Sequence, residues 1–179
     1  MTYCLVFKSK DMNKITILGG TASGKTTLAN KLGDRLHIPI THLDKIFWKE
    51  KGGIRQDAFV IELDQIMKSD RWIIEGSMHR SKTLHMRLDQ ADTIIFYDIP
   101  LCVALWRQTK RFFKYYNKVR PDMGGDNIQK YPFTWKEIQH MRNQPMNELY
   151  SKILAHKDSK KIVIIKNNND ERAFLQSLK

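Results

Sequence analysis

Residues 14–32 read KITILGGTASGKTTLANKL, and within them Gly19-Gly20-Thr21-Ala22-Ser23-Gly24-Lys25-Thr26 is a complete G-x-x-x-x-G-K-[ST] element. The flanks give it meaning. Lys14 to Leu18 is a short apolar run with strand character, and the stretch from Thr27 onward places Leu28, Leu32 and Leu36 on one helical face. A strand, a glycine turn and a helix are the setting in which this element cradles phosphates. Gly19 and Gly24 let the backbone turn and approach an anion closely. The N–H groups of Gly20, Thr21, Ala22 and Ser23, with those of Lys25, Thr26 and Thr27 at the positive helix start, then point at it. Lys25 is expected to reach the terminal phosphates and Thr26 to offer its hydroxyl to Mg²⁺. The chain is therefore expected to bind a nucleoside triphosphate or something shaped like one.

Working outward, 179 residues suit one domain with a real core, here residues 1–179. Residues 1–11 read as an extension, since Met12-Asn13-Lys14 is a natural start. Strands are expected at 14–18, 39–43, 71–75, 93–98 and 161–166, alternating with helices. That alternation predicts a parallel sheet with helices on both faces, an α/β three-layer arrangement. Residues 55–68, 80–90 and 101–117 read as helices, as does 134–155, broken or kinked near Pro145; a last helix is expected after Asp170. The stretch 118–133 holds Pro121, Gly124, Gly125 and Pro132 and reads as a mobile loop.

Hydrophobic residues make up 41% and charged residues 28%, and no run approaches the ~20 apolar residues that span a bilayer. Cys4 and Cys102 have neither disulfide-framework nor metal-ligand spacing, which points to a reducing cytoplasm, with Cys102 packed as a small hydrophobe. The net charge of +12 suits anionic ligands, nucleotides or nucleic acid alike.

Ligands of open parallel sheets sit at the carboxyl ends of the strands. The second strand ends in Thr41-His42-Leu43-Asp44, which sets Asp44 across from the phosphate loop, either to orient or deprotonate an acceptor hydroxyl or to cap a helix. His42 reads as a structural or pocket-lining residue, and Phe47 and Trp48 as core or pocket wall. The third strand ends in Glu75-Gly76-Ser77, where Glu75 either holds Mg²⁺ or caps a helix. Arg80 either clamps a phosphate or is solvated. Asp98, ending the fourth strand, rivals Glu75 as the metal carboxylate, yet no second acid follows it, which speaks against an ATP-driven motor. Arg107, Lys110, Arg111, Lys114 and Lys118 fall at helical spacing with Arg120 beyond, a basic face read as a short lid over residues 107–133.

The order GGTASGKTT, HLDKIFW, WIIEGS and ADTIIFYDIP resembles the nucleoside monophosphate kinase branch of P-loop proteins, with adenylate kinase its best-known member. Glu75-Gly76 matches that family's acid-glycine pair. Asp98 and Pro100, with Arg107 and Arg111 nine and thirteen residues after Asp98, match its strand end and lid arginines. The resemblance implies strand order 2-3-1-4-5, ATP and Mg²⁺ as cofactors, and an adenine site near Arg107 and the 166–168 stretch, with Asn167 at its centre. More narrowly, HLDKIFW, WIIEGS, RLDQADTIIF and Arg120-Pro121-Asp122-Met123 are similar to the DNA topology modulation (FlaR-related) proteins. The family's acid-glycine-phenylalanine-proline-arginine element is replaced by Gly76-Ser77-Met78-His79-Arg80, which leaves the acceptor open.

The expected activity is transfer of the γ-phosphoryl group of Mg-ATP to a small acceptor, by a monomer or homodimer with no membrane partner. Lys25, Asp44, Arg80, Arg107 and Arg111 would carry the chemistry, and Thr26 and Glu75 the metal. The rival expectation is a nucleotide-dependent DNA-binding regulator, drawing on the charge alone, since no helix-turn-helix, zinc-finger or RNA-binding signature is visible.

Overall fold

The computed structural model describes residues 12–48, 56–77, 82–118 and 134–178. The 1–11 extension, the Pro/Gly loop from 119 to 133, Arg80 and Arg120 lie outside the described residues. Five strands, β1 (Lys14–Gly19), β2 (Ile40–His42), β3 (Trp72–Glu75), β4 (Thr93–Tyr97) and β5 (Lys161–Ile165), form one parallel sheet in the order β2-β3-β1-β4-β5. This is the order implied by the resemblance. Around it run α1 (Lys25–Leu36), α2 (Leu43–Phe47), α3 (Gln56–Met67), α4 (Thr83–Gln90), α5 (Leu101–Tyr115), α6 (Trp135–Arg142), α7 (Met146–Leu154) and α8 (Asn168–Ser177).

The strands are apolar on both sides because both faces of the sheet are covered. Ile15, Ile17, Ile95, Tyr97 and Ile165 pack with Leu28, Ala29 and Leu32 of α1 and Phe174 of α8. On the opposite face Leu18, Trp72, Ile74, Ile94 and Phe96 pack with Leu43 and Ile46 of α2, Phe59, Leu63 and Met67 of α3, Leu84 and Leu88 of α4, and Leu149 and Ile153 of α7. The alternation of Ile94/Phe96 against Ile95/Tyr97 is the period-2 signature of a pleated strand between two layers.

Two expectations change, and of the break or kink expected near Pro145 the break is what forms. The last helix begins at Asn168, not after Asp170. The Asn167 side chain accepts from the N–H groups of Asn169 and Asp170 at 2.8 and 3.0 Å, an N-cap that starts the helix earlier. Cys102 is exposed rather than packed, because the buried residues of α5 are Ala104 and Gln108, so its first turn faces outward. The break near Pro145 is complete: α6 ends at Arg142 and α7 starts at Met146. A capping box fixes the start of α6, with Thr134 Oγ1 accepting from Glu137 N–H and Glu137 Oε2 accepting from Thr134 N–H at 2.7 Å.

Candidate active site

At the carboxyl ends of the strands lies a cleft of about 1000 Å³, within the range of nucleotide and small-molecule sites. The phosphate loop forms its floor. Gly24 has φ +113 and sits at the N-cap of α1, a left-handed conformation that disfavours a side chain. It brings no side-chain cap, and the first turn of α1 carries no acid. The positive end of α1 therefore opens into the cleft, as anion binding requires. Thr21, Ala22, Ser23, Gly24, Lys25, Thr26 and Thr27 line the cleft; Gly19 and Gly20 do not.

Lys25 is almost wholly buried, and its Nζ donates to the Gly20 carbonyl at 2.7 Å, with Ser23 Oγ at 3.4 Å. Burial pushes its ammonium below the ordinary lysine value. Glu75 and Asp44 oppose that shift, and Arg111 adds to it. The lysine is thus held curled on its own loop, in a setting that a polyanion would relieve.

Glu75 ends β3 and is buried. Its Oε1 accepts from Thr26 Oγ1 at 3.1 Å and lies 2.8 Å from His42 Nδ1. The partners of its carboxylate are two side chains, Thr26 Oγ1 and His42 Nδ1, rather than backbone N–H groups of a helix start, so Glu75 makes no capping bond. Asp98 is half exposed, 3.9 Å from Lys166 Nζ, and does not line the cleft. Strand β4 ends one residue earlier at Tyr97, and Asp98 keeps only a backbone bond to the sheet, its N–H donating to the Ile165 carbonyl at 2.9 Å. Of the two rival carboxylates, Glu75 is the one beside Thr26.

Asp44 lines the cleft within the first turn of α2. The cap position there is His42, so Asp44 is not the N-cap. Gly76 holds φ +143, and a Cβ on it would stand 2.8 Å from Leu43 Cβ, which fixes how tightly β3 turns beneath α2. Phe47 is partly buried against the core and meets Trp48 and Phe59 edge-on; neither Phe47 nor Trp48 lines the cleft.

The basic stripe of α5 divides. Arg107 and Arg111 line the cleft with Gln108 and Tyr115. Arg107 donates to the Ser23 carbonyl and, at 2.9 Å, to Asn168 Oδ1, bridging the phosphate loop to α8. Arg111 donates to Gln108 Oε1. Lys110 and Lys114, expected on the same face, instead lie over the Trp106 and Tyr115 rings at 4.8 and 5.1 Å and do not line the cleft. Successive helical residues are ~100° apart, so all four lie on one broad face, with Arg111 and Arg107 nearer to the buried Ala104–Gln108 line and Lys114 and Lys110 farther from it. At the α8 end, Asn168 rather than Asn167 lines the cleft, because Asn167 is spent on its cap.

Several residues went unread in the sequence. Glu137, His140 and Met141 of α6 form one wall. Glu171 of α8 accepts from Tyr97 Oη at 2.9 Å and from Lys31 Nζ at 2.7 Å; burial, then Glu171, raises the Tyr97 phenol above its ordinary value. Arg87 of α4 is wholly buried and donates to the Gly76 carbonyl at 2.9 Å, to Ser77 at 3.4 Å and to its own-helix Thr83 carbonyl at 3.3 Å. Burial lowers its guanidinium to about 10, with Glu75 opposing. This arginine staples the turn that follows Glu75. Arg87→Met keeps the stem and strands two buried carbonyls, a loss expected at about 2–4 kcal/mol. Thermal unfolding should show a midpoint lowered by roughly 5–15 °C; an unchanged midpoint would mean the staple contributes nothing.

The sequence matches no family model and no curated protein sequence. Solved structures do match in shape. The shikimate kinase of Acinetobacter baumannii, in complex with shikimate, is similar at TM-score 0.59 and 16% identity, covering 94% of this chain and 93% of that one. A shikimate kinase from Bacteroides thetaiotaomicron gives 0.52 and 14%, covering 92% and 95%. A gluconokinase from Sinorhizobium meliloti 1021 gives 0.56 and 11%, covering 93% and 91%. This chain shares their fold: a five-stranded parallel sheet, ordered 2-3-1-4-5, with a phosphate loop between its first strand and first helix.

Proposed function

We propose that this chain is a phosphotransferase that moves the γ-phosphoryl group of Mg-ATP to a hydroxyl of a small acceptor. The observation that supports the reading is that the phosphate loop and Asp44 line one cleft, with Asp44 close enough to Lys25 to favour its charge. A pure anion-binding module has no use for a carboxylate there. The shape-related structures are named as kinases of small hydroxylated molecules, which suits this reading. The resemblance to the adenylate kinase branch, and more narrowly to the DNA topology modulation proteins, belongs to the same inference from motifs.

In the proposed reaction the acceptor oxygen forms a bond to Pγ while the bond from Pγ to the β–γ bridging oxygen breaks. The acceptor proton passes to the Asp44 carboxylate, and ADP leaves. Loop N–H groups and Lys25 take up charge on the phosphates, and Arg107 and Arg111 approach from α5. The residues present fit Mg²⁺. Thr26 Oγ1 and Glu75 Oε1 are hard oxygen donors 3.1 Å apart, and among the described residues no group of three or more His, Cys, Asp or Glu side chains converges to form an all-protein cage. One carboxylate and one hydroxyl, completed by substrate phosphates and water, is how magnesium is commonly held. When bound, it would neutralise charge on the β- and γ-phosphate oxygens.

The testing experiment is a screen of nucleotides, nucleosides and small polyols for acceptor-dependent release of ADP. A signal confined to one acceptor class supports the reading. A flat screen alongside tight ATP binding would move the weight to the nucleotide-dependent regulatory alternative. Within the reading, Glu75→Gln keeps the shape of the contact with Thr26 but removes the charge. The Mg²⁺ concentration giving half-maximal activity should then rise about 10–100-fold, and an unchanged magnesium requirement would remove Glu75 from the metal site.

A further inference from the structure

Between α6 and α7 the chain passes through Asn143-Gln144-Pro145. Pro145 has φ −77 and ψ 61, and Met146 N–H donates to the Gln144 carbonyl at 2.7 Å. This is an inverse γ-turn, which the proline ring helps to fix by setting φ. It aims the Gln144 side chain at the phosphate loop. There the carboxamide makes two bonds to one residue: Oε1 accepts from Thr21 N–H at 3.1 Å, and Nε2 donates to Thr21 Oγ1 at 2.9 Å. Gly20 is part of the fit, because a Cβ at that position would stand 2.9 Å from Gln144 Oε1.

Thr21 lines the cleft, and its N–H is among the loop donors expected to meet an anion; Gln144, which does not itself line the cleft, occupies it with a neutral acceptor. Thr21 lies four residues before Lys25, at the end of the loop away from the start of α1. The inner phosphates of a nucleotide are drawn to the helix start, so the donor at the far end falls to the outermost phosphate of a triphosphate. A carboxamide oxygen and a phosphate oxygen cannot both take a full hydrogen bond from one N–H, and their lone pairs repel. The segment that bears Gln144 is also a wall of the cleft, through Glu137, His140 and Met141 of α6.

We propose that Gln144 is a clasp on the phosphate loop that a triphosphate displaces and a diphosphate leaves closed. Its release would uncouple the α6–α7 turn from the loop, so that this wall responds to the outermost phosphate. The inference rests on the phosphotransferase reading only in needing the loop to bind triphosphate.

The test measures binding of Mg-ADP and of a non-hydrolysable Mg-ATP analogue by calorimetry to the wild-type chain, Gln144→Ala and Gln144→Glu. Hydrogen exchange is followed over residues 134–154. Gln144→Ala should tighten triphosphate binding about tenfold, since two neutral hydrogen bonds no longer have to be broken, and leave ADP within about twofold. Gln144→Glu is nearly isosteric and still accepts from Thr21 N–H, now as an anion, so triphosphate binding should weaken at least about tenfold. Exchange across α6–α7 in empty Gln144→Ala should match that of the triphosphate-bound wild type. Triphosphate binding unchanged or weakened in Gln144→Ala would overturn the proposal, as would ATP-analogue and ADP affinities moving together. A wild-type chain that bound neither nucleotide would overturn both this proposal and the phosphotransferase reading, whereas intact nucleotide binding without the opposed responses sinks the clasp alone.

Discussion

Lys25→Met is expected to abolish phosphoryl transfer, by about 10³-fold or more, while raising the thermal unfolding midpoint of the nucleotide-free chain. The two effects have opposite signs for one reason. Lys25 is almost wholly buried, and its ammonium is pushed below the ordinary lysine value by burial, with Glu75 and Asp44 recovering only part of that cost. A base whose folded-state pKa is lowered opposes folding wherever it is charged, so the empty protein bears a penalty at neutral pH. Methionine fills similar space with no charge. The midpoint should therefore rise, by roughly 2–4 °C for each kcal/mol of penalty removed from a chain of this size. Nothing in the variant can replace the ammonium on the transferring group, where most of the catalysis of phosphoryl transfer arises. Calorimetric titration with Mg-ATP, acceptor-dependent ADP release and thermal unfolding of both proteins check the prediction. A lowered midpoint would show that the Gly20 contact outweighs the desolvation, and retained activity would remove Lys25 from the chemistry.

The parts of this molecule legible in the sequence are those set by local patterning. Strands buried on both faces announce themselves as apolar runs, so Thr93 to Tyr97 and Ile162 to Ile165 could be placed within a residue. The phosphate loop is read from eight consecutive residues because its function is a local backbone shape. What stayed hidden depends on contacts between distant segments. Gln144 meets Thr21 across 123 positions, and no local rule distinguishes that glutamine from an exposed one. Arg87 sits beside Leu88 in a helix whose apolar stripe is real, yet only the carbonyls of Gly76 and Ser77 justify burying a guanidinium there. The basic stripe of α5 was legible as a stripe but not as two. Which flank turns inward is decided by the burial of Ala104 and Gln108, and Lys110 and Lys114 find aromatic rings instead. The exchange of Asn167 for Asn168 at the cleft is the one-residue uncertainty of a helix start, settled by which asparagine caps it.

Asp44→Asn is expected to lower kcat by about 10²–10⁴-fold, with the KM for ATP held within a few-fold. Asparagine keeps the volume and one carbonyl oxygen, so it can still accept a hydrogen bond from an acceptor hydroxyl and hold it toward the loop. It cannot take the proton. Asp44 lines the cleft from the first turn of α2 while His42 occupies the cap position, so the substitution removes no N-cap bond. The aspartate also contributes favourably to the charge on Lys25. Its loss should therefore lower the lysine's pKa further, in the direction of weaker phosphate binding, which is why the KM for ATP is an informative control. The size of the kcat effect reports on the reaction itself. In a loose transition state the attacking oxygen has formed little bond to phosphorus, so its proton need not leave early, and orientation outweighs deprotonation. A loss near the lower bound in Asp44→Asn, with a distinctly larger loss in Asp44→Ala, would mark the carboxylate chiefly as an orienting group. Equal losses near the upper bound would mark proton removal as the limiting contribution. If kcat is unchanged in both, Asp44 is merely cleft wall, and the acceptor half of the site must be sought elsewhere among the groups that face Lys25.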